Sequence, residues 1–208
     1  MNEKKSIDNE RSYDSIAERW EQNRRERGLD PCISILSDLI PPSGRVLDIG
    51  CGTGYPIDLY LCKKGFSVTG IDPSGEMIRI ASRMNLKGAV FERCGLFEYE
   101  AAAPFDAAIA FDSLFHLPSD RQEDIYPKAA GMLKTGGLFL FTHGRTAGSV
   151  TGTMFGESFS YHALDEDRLL QCLYENSLIP IWFFKDYEAL VTGQRDRLVL
   201  ARKTQQEE

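Results

Sequence analysis

Nine residues, Val46-Leu47-Asp48-Ile49-Gly50-Cys51-Gly52-Thr53-Gly54, leave this chain few folds to choose from. An apolar run that ends near a carboxylate and passes straight into Gly-x-Gly-x-Gly reads as a strand feeding a tight turn. Glycines there bring bare backbone N–H groups close to a ligand, because side chains would block the approach. From this point short apolar runs alternate with helical patterns, the mark of βαβ units in a parallel sheet. The runs are Val46–Ile49, Val68–Ile71, Ala89–Phe91, Ala107–Phe111 and Leu138–Phe141. Ile57–Lys64, Ser74–Met84 and Arg121–Leu133 between them have helical period. Ser74 suits an N-cap, while Gly65 and Gly136-Gly137 mark the ends of the first and third of these helices.

Upstream, Tyr13, Ile16, Ala17 and Trp20 recur at spacings of three and four, so a helix is expected from Tyr13 to about Arg27. Pro31 opens a second, through Leu39, which Pro41-Pro42 stops. Downstream, Asp165–Asn176 reads as helix, and Ile181–Lys185 and Arg197–Ala201 as strands flanking a loop that contains Gly193. Residues 144–164 are rich in Gly, Ser and Thr; a stretch so long inside a compact domain is expected to be disordered or a functional loop. At 208 residues the chain fits one domain, 1–208, able to bury roughly 70% of its unfolded surface.

Charge and cysteine usage narrow the function. With 31 acidic and 24 basic residues, the net charge of −7 repels polyanions, so a nucleic-acid partner is not expected. The cluster Arg24-Arg25-Glu26-Arg27 reads as a solvated helix face. Five scattered cysteines form no CxxC pair and no Cys/His cluster of zinc spacing, so reduced thiols, a cytoplasmic setting and no metal are expected. The polar N-terminus and the lack of about 18 consecutive apolar residues argue against export and membrane spanning.

Two carboxylates frame the glycine turn. Asp72, 18 residues after Gly54 at the end of the second strand, is placed to accept hydrogen bonds from ribose hydroxyls. Asp48, just before the glycines, would be a poor neighbour for a pyrophosphate and a good one for an ammonium or sulfonium group. VLDIGCGTG at 46–54 closely resembles the first motif of the class I S-adenosylmethionine-dependent methyltransferases, and further motifs follow in register over about 45–142. They are Val68-Thr69-Gly70-Ile71-Asp72-Pro73-Ser74, Pro104–Phe111 running into Asp112-Ser113-Leu114-Phe115-His116-Leu117-Pro118, and Met132-Leu133-Lys134-Thr135-Gly136-Gly137.

The resemblance implies a Rossmann-like, doubly wound seven-stranded α/β sheet, mostly parallel, with helices on both faces and the last strand, about Arg197–Ala201, antiparallel. It implies S-adenosylmethionine as cofactor and a small-molecule acceptor of the kind bacterial members methylate. Asp48 and Gly50 would lie against the methionine part, with Cys51 filling space and Gly52 and Gly54 shaping the turn. Asp72 would hold the ribose, Pro73 and Met77 would pack near the adenine, and Gly95, Leu96 and Phe97 would close that pocket. Gly95 stands where many members place an Asp, so either Glu98 substitutes or the adenine is held by backbone and stacking. Phe111 and Asp112 would line the methionine side, and Tyr13 and Trp20, within N-terminal helices spanning 1–42, would cover the cofactor. Tyr161 and His162, in the substrate-side loop 144–164, are candidates for acceptor contact. His116, His143 and His162 are candidate bases; for His116, ordering the loop is the competing role. A monomer or homodimer is expected. Two rivals remain: a cofactor-binding module without catalysis, and an NAD-dependent oxidoreductase, which would require Gly-x-Gly-x-x-Gly.

Overall fold

A computed structural model describes residues 7–189, 193 and 195–205. Two helices, α1 (Asn9–Arg25) and α2 (Pro31–Leu39), precede an alternating βα region. That region comprises β1 (Arg45–Ile49), α3 (Ile57–Lys63), β2 (Ser67–Asp72), α4 (Gly75–Arg83), β3 (Ala89–Arg93), β4 (Phe105–Ala110), α5 (Ile125–Met132) and β5 (Leu133–His143). Then come β6 (Gly148–Met154), β7 (Glu157–Ala163), α6 (Glu166–Glu175), β8 (Leu178–Glu188) and β9 (Arg195–Lys203).

Seven strands form one sheet in the order β3-β2-β1-β4-β5-β9-β8. β1 to β5 pair in parallel, and β9 runs antiparallel to both β5 and β8. The sheet is therefore the mostly parallel one expected, with its antiparallel strand inserted beside the edge. Strand order reverses between β1 and β4, which opens a crevice at their carboxyl ends, where sheets of this kind take ligands. Each central strand feeds two cores. Ala107 and Ile109 of β4 join the cluster beneath α2 and α3, and Ala108 and Ala110 join the opposite cluster with Tyr126 of α5 and Leu169 of α6. Burial on both faces is why these strands read as continuous apolar runs.

Local chemistry fixes the elements around the crevice. Ser74 caps α4 by accepting from the Met77 amide, 3.2 Å away, and Gly65 leaves α3 at a φ of 90°. The expected helix Arg121–Leu133 is shorter: a 3-10 turn at Ser119–Arg121 precedes α5, and the chain is already extended at Leu133. Gly136-Gly137 thus lies inside β5, where the register shifts between the Phe105 and Ala107 pairings of β4. The last two strands run longer than expected, and the loop around Gly193 falls mostly outside the described residues.

Residues 144–164 depart most from expectation. They form an antiparallel hairpin, with β6 and β7 paired from Gly148↔Ala163 to Met154↔Glu157. Its hydrogen-bond partners come from far away in sequence. Asn9 donates to the Ser160 carbonyl and accepts from the Ser160 amide, both at 2.9 Å, as a neighbouring strand would. Ser12 donates to Ser158 at 2.7 Å, and Tyr13 packs edge-on against Phe159 at 4.8 Å. α1 and the hairpin thus form one cover over the crevice.

Candidate functional site

The crevice holds a cavity of about 1100 Å³, floored by the glycine turn and roofed by α1 and the hairpin. The turn is tied to β2: the amides of Gly50 and Cys51 donate to the Ile71 carbonyl at 2.8 and 3.0 Å. Gly52 donates to Asp72 Oδ2 at 2.9 Å, and the Ser74 amide to Asp72 Oδ1 at the same distance. Gly50, Gly52 and Gly54 have φ of 75°, 56° and 73°, a left-handed conformation that only glycine adopts freely. A Cβ on Gly50 would strike Ser113, and one on Gly54 would meet Met84 and Phe91. One on Gly52 would point toward Trp20 and Met77, into the cavity. Gly54 therefore shapes the turn from behind, while Gly50, Cys51 and Gly52 face the opening.

Carboxylates dominate the floor. Asp48 is buried, and Asp58, fully buried in the first turn of α3, has its carboxyl against that of Asp48. Burial and then the Asp48 charge push Asp58 well above the carboxylate range, while burial raises Asp48 to about 7. A cation above the turn would relieve this crowding. Asp72 is pushed up to about 6 by burial, against the lowering effect of its two backbone hydrogen bonds.

At the far side Arg24 reaches Asp112 at 3.4 Å and lies 4.3 Å over the Trp20 ring. It is 8% exposed, so the solvated face expected for Arg24 is corrected: its side chain lines the cavity. Trp20 and Arg24 are four apart, so the stripe begun by Tyr13, Ile16 and Ala17 continues to a cation. That spacing was the sequence signal for this residue. Burial lowers the Arg24 pKa and raises that of Asp112, each opposed by the other's charge.

Pro73, Met77, Cys94, Gly95 and Leu96 form a narrower end beside Asp72. Phe97 does not reach it: its ring packs against the core and under the Arg121 guanidinium, 3.9 Å away. Glu98 folds back beside Gly95 but is exposed and outside the cavity lining.

The three histidines separate. His116 has its Nδ1 3.0 Å from the Ser160 carbonyl and its Nε2 2.8 Å from the Tyr13 hydroxyl. The carbonyl requires a proton on Nδ1, so Nε2 accepts from Tyr13. Burial lowers His116 to about 4 and raises Tyr13 well above its ordinary value, so both are neutral near pH 7. His143 is 2% exposed and does not line the cavity. Its Nδ1 lies 2.9 Å from the Gly144 carbonyl and its Nε2 accepts from the Leu164 amide at 3.2 Å. Those two residues bracket the hairpin, so His143 ties its ends together rather than facing a ligand. His162 lines the cavity and bonds Ser149 through Nδ1 at 2.7 Å. Tyr161 faces a smaller neighbouring space.

Residues 46–137 match a family model described as a methyltransferase domain. The ubiquinone biosynthesis O-methyltransferase of Xylella fastidiosa (strain 9a5c) is 34% identical over 134 residues, which are 61% of this chain and 53% of that protein. The chain thus spans about half the length of the curated relatives it matches. Among solved structures, a SAM-dependent methyltransferase from Methanosarcina mazei superposes with a TM-score of 0.67 at 24% identity, over 82% of this chain and 97% of that one. The Burkholderia thailandensis 1,6-didemethyltoxoflavin-N1-methyltransferase, solved with 1,6-didemethyltoxoflavin and S-adenosylhomocysteine, has a TM-score of 0.66 at 19% identity, over 99% of this chain and 94% of that one.

Proposed function

We propose that this chain, whose residues 46–137 match a methyltransferase-domain family model, is a class I S-adenosylmethionine-dependent methyltransferase that transfers a methyl group from that cofactor to a small molecule. One observation supports the reading above the others: Asp72 is held by the amides of Gly52 and Ser74 at the edge of a cavity whose floor is the buried Asp48.

The residues suit the cofactor part by part. Asp72 retains lone pairs for two ribose hydroxyls. Asp48, with Asp58 beneath it, offers negative charge to the ammonium and sulfonium. Arg24 is the one Arg or Lys in the described lining and suits the methionine carboxylate. Pro73, Met77 and Leu96 give the adenine an apolar slot, and its edge meets backbone at Gly95 rather than a side-chain carboxylate. Tyr13 and Trp20 close the cavity from α1.

The bound cofactor supplies a methyl already activated on sulfur. The protein's part is then to hold an acceptor in line and exclude water, which in well-oriented systems is worth about 7–11 kcal/mol. Neither His116 nor His143 is placed to remove a proton, since their ring nitrogens are bonded to protein groups. His116 and His162 both line the cavity, but His162 is bonded to Ser149 through Nδ1 alone, which leaves Nε2 for a ligand. The acidic cavity and the net charge of −7 favour a small molecule over nucleic acid. No described helix is long and apolar enough to cross a membrane, and no described cluster of His, Cys, Asp or Glu is suited to a metal. We place the enzyme in the cytoplasm, as a monomer or homodimer.

Calorimetric titration of Asp72→Ala tests the reading. Affinity for S-adenosylhomocysteine should fall by about 1–3 kcal/mol through lost hydrogen bonds. Unchanged affinity in a variant that keeps its melting temperature would remove Asp72 from the site.

A further inference from the structure

The geometry points to a separate acceptor chamber behind the hairpin, in which Asp196 and an aromatic wall of Phe115 and Tyr161 select an amine. This inference rests on the methyl-transfer reading above. The chamber holds about 360 Å³, within the usual range for small-ligand sites of ~300–1,000 Å³. Its lining includes Phe115, Arg145, Tyr161, His162 and Asp196. His162 also lines the large cavity, so its side chain is a wall the two spaces share.

Asp196 stands at the start of β9. Because β9 is antiparallel, that start lies at the sheet edge where β4 and β5 end, next to the pairing of Arg197 with His143. The carboxyl is close enough to Asp112, which lines the large cavity, to feel its charge. Among the described residues it has no hydrogen bond and no ion pair of its own. The nearby cations are engaged: Arg145 with Asp186, and Arg197 with Glu166 and the Gly144 carbonyl.

Burial, then the Asp112 charge, pushes Asp196 up to about 6, with Arg145 opposing. A half-buried carboxylate crowded by another negative charge is a poor host for an anion and a good one for an ammonium. The wall suits the same guest. Phe115 and Tyr161, both in the lining, lie 5.6 Å apart and tilted, so two aromatic rings border the space. Aromatic faces attract cations, and the attraction grows when water is excluded.

The bound ammonium gives one proton to the Asp196 carboxylate, which later loses it to solvent. The neutral amine's lone pair forms the new N–C bond to the methyl of S-adenosylmethionine. The C–S bonding pair stays on sulfur as the thioether of S-adenosylhomocysteine, and the product leaves as an N-methylammonium.

The test is calorimetry on the full chain saturated with S-adenosylhomocysteine, using arylalkyl amines with matched alcohols and carboxylates. Phenethylamine, 2-phenylethanol and phenylacetate are the reference set. The amines should bind at least tenfold more tightly than their matched partners. Asp196→Asn should weaken amine binding at least tenfold and leave S-adenosylhomocysteine affinity unchanged, and Tyr161→Leu should weaken it independently. Tighter binding of carboxylates, equal binding of all three classes, no binding of any, or amine affinity that survives both substitutions would overturn the assignment. If the wild-type chain fails to bind S-adenosylhomocysteine, the methyl-transfer reading fails first.

Discussion

At the residue scale, several groups around the cavity are each held in one state. Gly50 must be left-handed while its missing Cβ makes way for Ser113, whose hydroxyl donates to the Ile49 carbonyl at 2.6 Å. Gly50→Ala should therefore destabilise by at least about 1–2 kcal/mol from backbone strain alone, and should abolish S-adenosylhomocysteine binding; denaturant melts and titration check both effects. His116 and His143, lowered to about 4, should show no imidazole titration by NMR between about pH 5.5 and 8. Because the unfolded chain protonates them near 6.5, the stability they lend is present above about pH 6.5 and is lost as pH falls toward about 4. Much of the floor was legible in advance. Asp48, the glycines and Asp72 are a contiguous turn and one strand end, so local spacing reveals them. Arg24, although in step with Trp20, was hidden in a run of charges, and Asp58 and Asp196 were not legible, because their surroundings are groups distant in sequence. Phe97 was misplaced for the same reason: adjacency to Leu96 does not say which way a ring turns.

At the element scale, the strands and helices of 45–143 declare themselves through apolar runs buried on two faces. The hairpin does not. β6 is mostly exposed and rich in Gly, Ser and Thr, and what orders β7 is a set of hydrogen bonds to α1 spanning 146 and 151 positions. No local pattern encodes such contacts. Asn9→Ala removes the groups that pair with both the Ser160 amide and the Ser160 carbonyl, at about 0.5–1.5 kcal/mol for each bond. Amide exchange in 148–163 should speed up while exchange in β1 and β4 stays unchanged. Equal protection of the hairpin in the variant would mean that α1 and the hairpin are not one cover.

At the scale of the whole molecule, several carboxyls are buried at one sheet edge, and folding them there costs stability at neutral pH. Asp48 at about 7 and Asp72 and Asp196 at about 6 all sit above their unfolded value near 3.9, so their cost grows as pH rises through that interval. A cationic ligand offsets that cost. Ligand at ~100 times its dissociation constant stabilises the fold by about 2.7 kcal/mol, an increase of roughly 5–11 °C in melting temperature for a domain of this size. The sheet alone does not decide which ligand does so, because dinucleotide-binding folds share its crevice and a carboxylate at the end of the second strand. In the proposed function Asp48 and the Gly-x-Gly-x-Gly spacing make the choice. The most direct measurement is calorimetric titration of the purified chain with S-adenosylhomocysteine and, separately, with NAD. The account predicts saturable one-site binding of S-adenosylhomocysteine and none of NAD; binding of NAD alone would contradict it.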